Sequence, residues 1–447
     1  MKRKLTTKEL FAVGSMLFGL FFGAGNLIFP VHMGQLAGSS SLGAIIGFIG
    51  TGVTLPLLGV AAMGMSHSEG LADMSAKVGK GFSLFFTCAL YLTIGPFFAI
   101  PRCATVTYTV GFEPMIPEAA RTLALVVFSF VFFALVLMFS LRPSGILKWV
   151  GKIINPVFLA FLAVLVVFSF VKPMGNVGEI TPDAGYAANP FFKGFLEGYN
   201  TMDALASLAF GIIVIDVIRS LGVTEPGAIA SNTVKAGAFS CILMAIIYAL
   251  ITIMGAKSRG VLTASANGGI ALTEISHYYF GTAGQLLLGA TVFLACLKTS
   301  IGLVTSCAET FAKLFPRIRY TAWAVIFCAV PFIISNLGLT AIISYSIPVL
   351  MFLYPLSIAL IVLCLLGRFF NYDKLMMVPV MTLTFFSALI DFFQALPADA
   401  QAFLHVQPLL DAAAKVLPFY SLGLGWICPA LIGVVIGLIL YTQKKRA

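Results

Sequence analysis

The first long apolar segment of the chain, residues 9–37, is interrupted near its centre by Gly19, Gly23, Gly25, Asn26 and Pro30. Glycine inside a helix costs about 1 kcal/mol relative to alanine, and proline removes a backbone donor. In hydrocarbon every freed N–H and C=O needs a partner. Broken backbone is tolerated at that depth only where it lines a cavity or is buried in protein. The stretch is therefore either a broken helix whose exposed backbone holds a ligand and an ion, or a face of small residues for close helix packing. Asn26 and Pro30 favour the first reading, because packing alone asks for neither.

Composition places this segment in a membrane. Of 447 residues, 60% are hydrophobic and 10% charged, with a mean hydropathy of +1.03; soluble domains are about 45–50% apolar and about 25% charged. The chain reads as an all-α polytopic membrane protein. Twelve spans are expected, near 9–37, 42–65, 80–104, 121–141, 147–171, 192–217, 228–255, 284–313, 321–337, 340–366, 376–396 and 421–441, called segments 1 to 12 below. No polar stretch is long enough for a soluble module, so 1–447 is expected to be one integrated domain. Gly268 to Phe280 reads as a short amphipathic element outside the membrane, and the connections 172–191 and 397–420 also fall outside. Segment 1 is too long for the core of a secretion signal, no cleavage site follows it, and no lipidation motif is visible.

Lysine and arginine set the orientation. With the N-terminus inside, 19 of them fall on the inner side and 7 outside, the latter counting Arg102 at the end of segment 3, while Lys298 lies within segment 8. This bias puts both termini in the cytoplasm. It also accounts for the net charge of +10 without nucleic acid as a partner. The eight cysteines lie within or at the ends of apolar segments, without paired spacing, and read as buried free thiols. His32, His67, His277 and His405 are scattered, so no metal-ligand set is expected.

Segment 6 carries a second interruption, running from Glu197 through Gly198, Tyr199, Asn200, Thr201, Met202 and Asp203 to Gly211. Ionisable groups inside a span are costly and face a cavity or a partner. Asp203 is thus either a partner for a cation or a substrate ammonium, or a carboxylate near the outer end satisfied by water or a neighbouring helix. Segments 1 and 6 each begin a block of five. Five being odd, the two blocks enter from opposite sides, which points to an inverted repeat with a site at its interface. The expected division is 1–171 for the first repeat, 192–366 for the second and 376–441 for two accessory helices.

The run from Gly19 to Pro30, continued through Val31, His32, Met33, Gly34, Gln35, Leu36, Ala37 and Gly38, resembles the start of the bacterial branched-chain amino acid carriers. Further matching blocks are Gly95 to Arg102, Gly198 to Ala206 and Phe293 to Leu297. That family is similar in organisation to the leucine-transporter fold of the amino acid–polyamine–organocation superfamily. The resemblance implies a secondary transporter importing leucine, isoleucine and valine across the inner membrane, coupled to sodium, with no cofactor beyond the coupling ion and no obligatory protein partner.

The resemblance also implies site residues. The break in segment 1 would bind the substrate carboxylate through the backbone of Gly23, Ala24 and Gly25. The second half-helix, starting near Asn26, would add favourable charge. Carbonyls near Gly19 and Phe22 match positions that hold sodium. Ala206, Ser207 and Phe210 match substrate-facing positions around the second break. Tyr91, Pro96 and Phe97 are candidate pocket walls, ordinary helix packing being the alternative. In segment 8, alignment on Ala295 and Ile301 puts Thr299 at one expected hydroxyl position of the sodium site and Lys298 at the other. Lys298 lies near mid-span, too deep for its stem to reach the surface. Its ammonium either replaces sodium beside the Gly19 and Phe22 carbonyls, leaving a proton-coupled or sodium-independent carrier, or pairs with a carboxylate such as Asp203, or merely weakens a sodium-driven carrier.

Other classes lack their signatures. A membrane enzyme needs a polar catalytic constellation, and an ATP-driven transporter a Gly-x-x-x-x-Gly-Lys-Ser/Thr loop; neither occurs in the chain. A channel would favour a continuous polar pore or rings of polar residues from an oligomer.

Overall fold

The computed structural model describes residues 5–23, 25–141 and 146–446, and among these the regular structure is entirely helical. Among the described residues, eight helical runs are long and apolar enough to cross a bilayer: Gly25–Met65, Lys80–Gly111, Glu118–Leu141, Gly227–Ser258, Gly268–Leu314, Leu339–Phe369, Lys374–Ala395 and Ile427–Lys445. A further pair, Pro190–Thr201 and Asp203–Ser220, is bent by 45° at its junction. Leu159–Val171 and Tyr320–Ser335 are shorter apolar helices.

Local chemistry sets the helix ends. Thr6 and Glu9 form a reciprocal capping box at the start of Thr7–Phe21, the Glu9 carboxylate accepting the Thr6 N–H at 2.8 Å. Asn267 caps Gly268–Leu314 by accepting the N–H groups of Gly269 and Ile270 at 2.9 and 3.1 Å. That long run contains a bend at Gly281, whose φ of 59° and ψ of −153° suit glycine. The bend falls where the amphipathic stretch Gly268 to Phe280 gives way to the apolar one.

Segment 1 is two helices, Thr7–Phe21 and Gly25–Ala37, separated by an extended Phe22. Its small residues divide between two tasks. Gly34 faces the backbone of Thr252, and Gly255 faces that of Val31, so closely that an added Cβ would lie 2.0 Å from a carbonyl oxygen in each case. Segments 1 and 7 thus cross at backbone contact there, as small-residue packing predicts. Gly19, Gly23 and Gly25 line a cavity instead. Beyond Ala37 the chain turns through Gly38–Ser40, held by the 172–191 connection: Ser39 donates to the Ile180 carbonyl and Asp183 to that of Leu36, each at 2.9 Å.

Segment 3 departs most from the sequence reading. It runs to Gly111 rather than 104, and it too is broken, by a wide turn at Thr93–Phe97 in which Gly95 has non-helical angles (φ −92°, ψ −119°). Arg102, assigned above to an outer surface, instead sits inside the helix Ala99–Gly111 and is only 6% exposed. The threonine-rich stretch after it lowers hydropathy without adding charge, so hydropathy alone ends the span short.

Candidate functional site

The two breaks face each other. In segment 6 the interruption falls at Met202, which takes the left-handed conformation (φ 61°, ψ 12°) between the short helical turn Gly198–Thr201 and the helix Asp203–Ser220. The break therefore lies just before Ala206, Ser207 and Phe210, and Asp203 opens the second half-helix. At the other break, the Asn26 side-chain Oδ1 accepts the Gly23 N–H at 3.0 Å, and the Asn26 side-chain Nδ2 donates to Asp203 Oδ2 at 2.5 Å. The same amide contacts the Tyr248 hydroxyl, which lies 3.4 Å from that Asp203 oxygen. The Gly23 N–H assigned to the substrate is thus bonded to Asn26 in this state.

Arg102 closes one end of the site. Its Nη1 donates to the Asn200 carbonyl at 2.7 Å, on the segment 6 break, and its guanidinium lies 5.0 Å from the centre of the Phe29 ring in segment 1. An added Cβ on Gly25 would come within 3.1 Å of Nη2. Asp203, only 4% exposed, lines the same cavity as Arg102, and the two form no direct ion pair. A charged group this deep requires a partner or a ligand.

The cavity has a volume of about 590 Å³, within the range of small-molecule sites. Phe21, Ile94, Phe210, Ile213 and Leu303 give it apolar walls, while Asn26, Arg102, Asp203 and Thr299 supply polar groups. From there it runs along one face of segment 8, past Lys298, Gly302, Ser306 and Glu309, to Lys313 and to Glu69–Ala72 at the far end. That stripe repeats at helical spacing.

Of the residues singled out in the sequence, Gly19, Gly23, Gly25, Asn26, Tyr91, Asp203, Ala206, Phe210, Lys298 and Thr299 line the cavity. Tyr91 also donates to the Ala209 carbonyl at 3.1 Å, joining segment 3 to segment 6. The others are placed elsewhere. Phe22 stacks on Phe18 and Tyr248 at 4.8 and 6.3 Å. Ser207 is buried, donates to Ala204 O at 2.7 Å and abuts Gly59. Pro96 is buried in the wide turn, and Phe97 is 41% exposed with its ring against Phe98. Ala295 accepts the Thr299 hydroxyl at 3.0 Å through its carbonyl. Ala24 lies outside the described residues. Lys298 is half-buried, and among the described residues it makes no ion pair with Asp203.

Sequence reasoning missed Arg102 and Tyr248. The arginine stood inside a quoted block, and the uncharged run from Cys103 to Gly111 was the signal that its helix continues. Tyr248 carried no local signal, since only the tertiary fold brings it to Asn26.

Comparison with known proteins agrees with this architecture. Over 98% of the chain and 92% of the solved protein, the fold superposes on the nucleobase-cation-symport-1 family transporter Mhp1 with bromovinylhydantoin bound (TM-score 0.60, 13% identity). It also superposes on MhsT in complex with L-phenylalanine over 98% and 99% of the two chains (TM-score 0.55, 14% identity). These likenesses establish a fold of the leucine-transporter type. In sequence, the chain is 48% identical to the branched-chain amino acid permease BrnQ of Lactobacillus delbrueckii subsp. lactis over 100% of both, and 40% identical to the permease BraB of Bacillus subtilis over 98% of this chain and 97% of that one. It is 35% identical to the Escherichia coli K12 permease BrnQ over 98% and 97%. A family model described as "Branched-chain amino acid transport protein" matches residues 6–444, and the chain belongs to that family.

Proposed function

We propose that this protein is a secondary active carrier that imports leucine, isoleucine and valine by alternating access. The observation that carries the reading is the cavity between the two breaks, where apolar walls meet one buried cation, Arg102, and one buried anion, Asp203. A zwitterion with an apolar side chain matches those three features. Its carboxylate turns to Arg102 and the start of the helix Gly25–Ala37, whose exposed N–H groups favour negative charge. Its ammonium turns to Asp203, and its side chain to the Phe21, Ile94 and Phe210 wall.

The cavity reaches Lys313 and the loop that leads to Lys77 and Lys80. The excess of lysine and arginine assigns that end to the cytoplasm, with both termini there in an inner membrane. On this reading the conformation is inward-facing. Arg102 then shuts the outer side by holding segments 1, 3 and 6 together. The proposed division into repeats 1–171 and 192–366 with accessory helices 376–441 makes the first two blocks the moving parts.

The coupling ion is sodium by family resemblance, at Gly19, Phe22, Ala295 and Thr299. The alternative follows from Lys298, which lines the cavity beside Thr299: its ammonium takes the place of sodium, leaving a proton-coupled or sodium-independent carrier. Competition for radiolabelled leucine uptake into proteoliposomes tests the substrate class. A hydrophobic pocket separates substrates differing by one methylene by only about 1–3 kcal/mol, so isoleucine and valine compete with leucine. Equal competition by lysine or glutamate would refute the assignment.

A further inference from the structure

A second polar cluster adjoins the segment 6 break, and none of its residues is among those that line the cavity. Asp391, in the helix Lys374–Ala395, is fully buried, and neither carboxylate oxygen has a hydrogen-bond partner of ordinary geometry among the described residues. The Gly425 and Trp426 backbone amides face it, and a Cβ built on Gly425 would lie 3.1 Å from Oδ1. The buried Tyr199 and Tyr354 hydroxyls, Gln394 Oε1 and Trp426 Nε1 likewise have no hydrogen-bond partner of ordinary geometry among the described residues. Tyr199 lies within electrostatic reach of Asp391 and beside the Trp426 indole, and its ring stacks on Tyr354 at 4.0 Å. The Tyr354 hydroxyl faces Thr201 and Ala204, either side of the break. Polar groups thus continue from Asp391 to the hinge of segment 6.

An isolated carboxylate at this depth is too costly to stand uncompensated. Among the described residues no lysine, arginine or histidine pairs with it. The other titratable groups around it are Tyr199, Tyr354 and Tyr420, with Asp411 and Lys415 on the adjoining helix Gln407–Val416. The compensating charge must come from solution. The carboxylate, the Gln394 amide oxygen one helical turn on and the Tyr199 phenol oxygen form a set suited to a small hard cation, and the carboxylate by itself suffices for a proton.

We infer that Asp391, with Tyr199 and Gln394, binds a monovalent cation, sodium or a proton, and that Tyr199, stacked on Tyr354, couples its occupancy to the break in segment 6. Cation binding is independent of the transport reading, whereas the coupling rests on it. Filling the site removes the buried negative charge beside Tyr199. Emptying it favours a hinge position that opens the cluster to water. This places a coupling ion in the half of the protein away from the cavity mouth.

The test uses the purified full-length protein in proteoliposomes, with the variants Asp391→Asn and Asp391→Glu. Leucine counterflow is measured without ion gradients, and accumulation with sodium or proton gradients imposed separately. Asp391→Asn is expected to keep counterflow near the parental rate and to lose accumulation by about tenfold or more under whichever gradient drives the parent, while Asp391→Glu retains both. The effective gradient identifies the ion. Unchanged accumulation in Asp391→Asn would overturn the inference, as would equal loss of counterflow and accumulation in both variants. A parent without counterflow would refute the transport reading instead. The binding arm then still decides: radioactive sodium bound in detergent, or a protonated-carboxyl infrared band, is present in the parent and missing from Asp391→Asn. Absence of both signals from the parent would refute the site.

Discussion

The Asn26 side-chain amide donates to the Asp203 carboxylate at 2.5 Å, tying the break in segment 1 to the break in segment 6 across 177 positions of sequence. Asn26 also accepts the Gly23 N–H, so one side chain holds its own break in shape and fixes the anion of the other. Neither helix could stay broken in hydrocarbon without such internal partners.

Asn26→Ala removes both contacts. Losing a buried donor costs about 1–3 kcal/mol, so the leucine dissociation constant is expected to rise at least about fivefold. Equilibrium binding to the purified variant checks this. Parental affinity would mean that the link between the breaks does not shape the site.

Arg102→Lys keeps the charge and loses the planar fork. A lysine ammonium cannot both bond the Asn200 carbonyl and lie flat on Phe29. Leucine counterflow is expected to fall about tenfold or more, by analogy with loss of one member of a buried charge-assisted contact, in a protein that remains monodisperse. Counterflow at the parental rate would reduce Arg102 to a packing residue.

Much of this was legible in the sequence, for reasons that differ by residue. The break between Phe21 and Gly25 was readable because the glycines that flank it are local residue types that weaken a helix. Asp203 stood out because charge in an apolar run is rare. The bend at Gly281 coincided with a change of hydrophobic pattern. Arg102 was misplaced because hydropathy cannot distinguish a span that ends from one whose threonines bond back to their own helix, as Thr105 and Thr107 do to the carbonyls of Pro101 and Cys103 at 3.2 and 2.8 Å. Ser207 and Phe97 were nominated by alignment, yet the rotation of each helix turns one toward Gly59 and the other outward. Tyr248 and Asp391 gain their neighbours only through tertiary contacts.

Lys298→Thr tests the coupling ion. If the Lys298 ammonium replaces sodium, the variant is expected to bind sodium more tightly than the parent, and its leucine uptake to become sodium-activated at fixed pH. Identical sodium dependence in the two proteins would reject the replacement. Steep sodium activation of the parent would place the ion elsewhere.

The C-terminal helix is latched by Lys444, which donates to Asp373 Oδ2 at 2.6 Å. The bond from Lys444, with the Leu375 amide, holds the Asp373 carboxyl below its ordinary value. A carboxyl lowered in this way contributes above its unfolded value and loses that contribution as pH falls through the lowered one. The latch is therefore expected to persist at neutral pH and to release only in acid below the usual aspartate range. Trypsin cleavage at Lys444 and Lys445 is expected to be faster in Asp373→Asn at pH 7; equal rates would deny the latch.

The central claim is that the cavity between the breaks carries branched-chain amino acids across the membrane. Counterflow of radiolabelled leucine in liposomes containing only this protein tests it most directly. Vesicles preloaded with unlabelled leucine, isoleucine or valine are predicted to accumulate the label transiently and saturably, without ATP, and Asp203→Asn is predicted to reduce that accumulation at least about tenfold. Label uptake that does not depend on the preloaded amino acid, or that fails to saturate, would contradict the account.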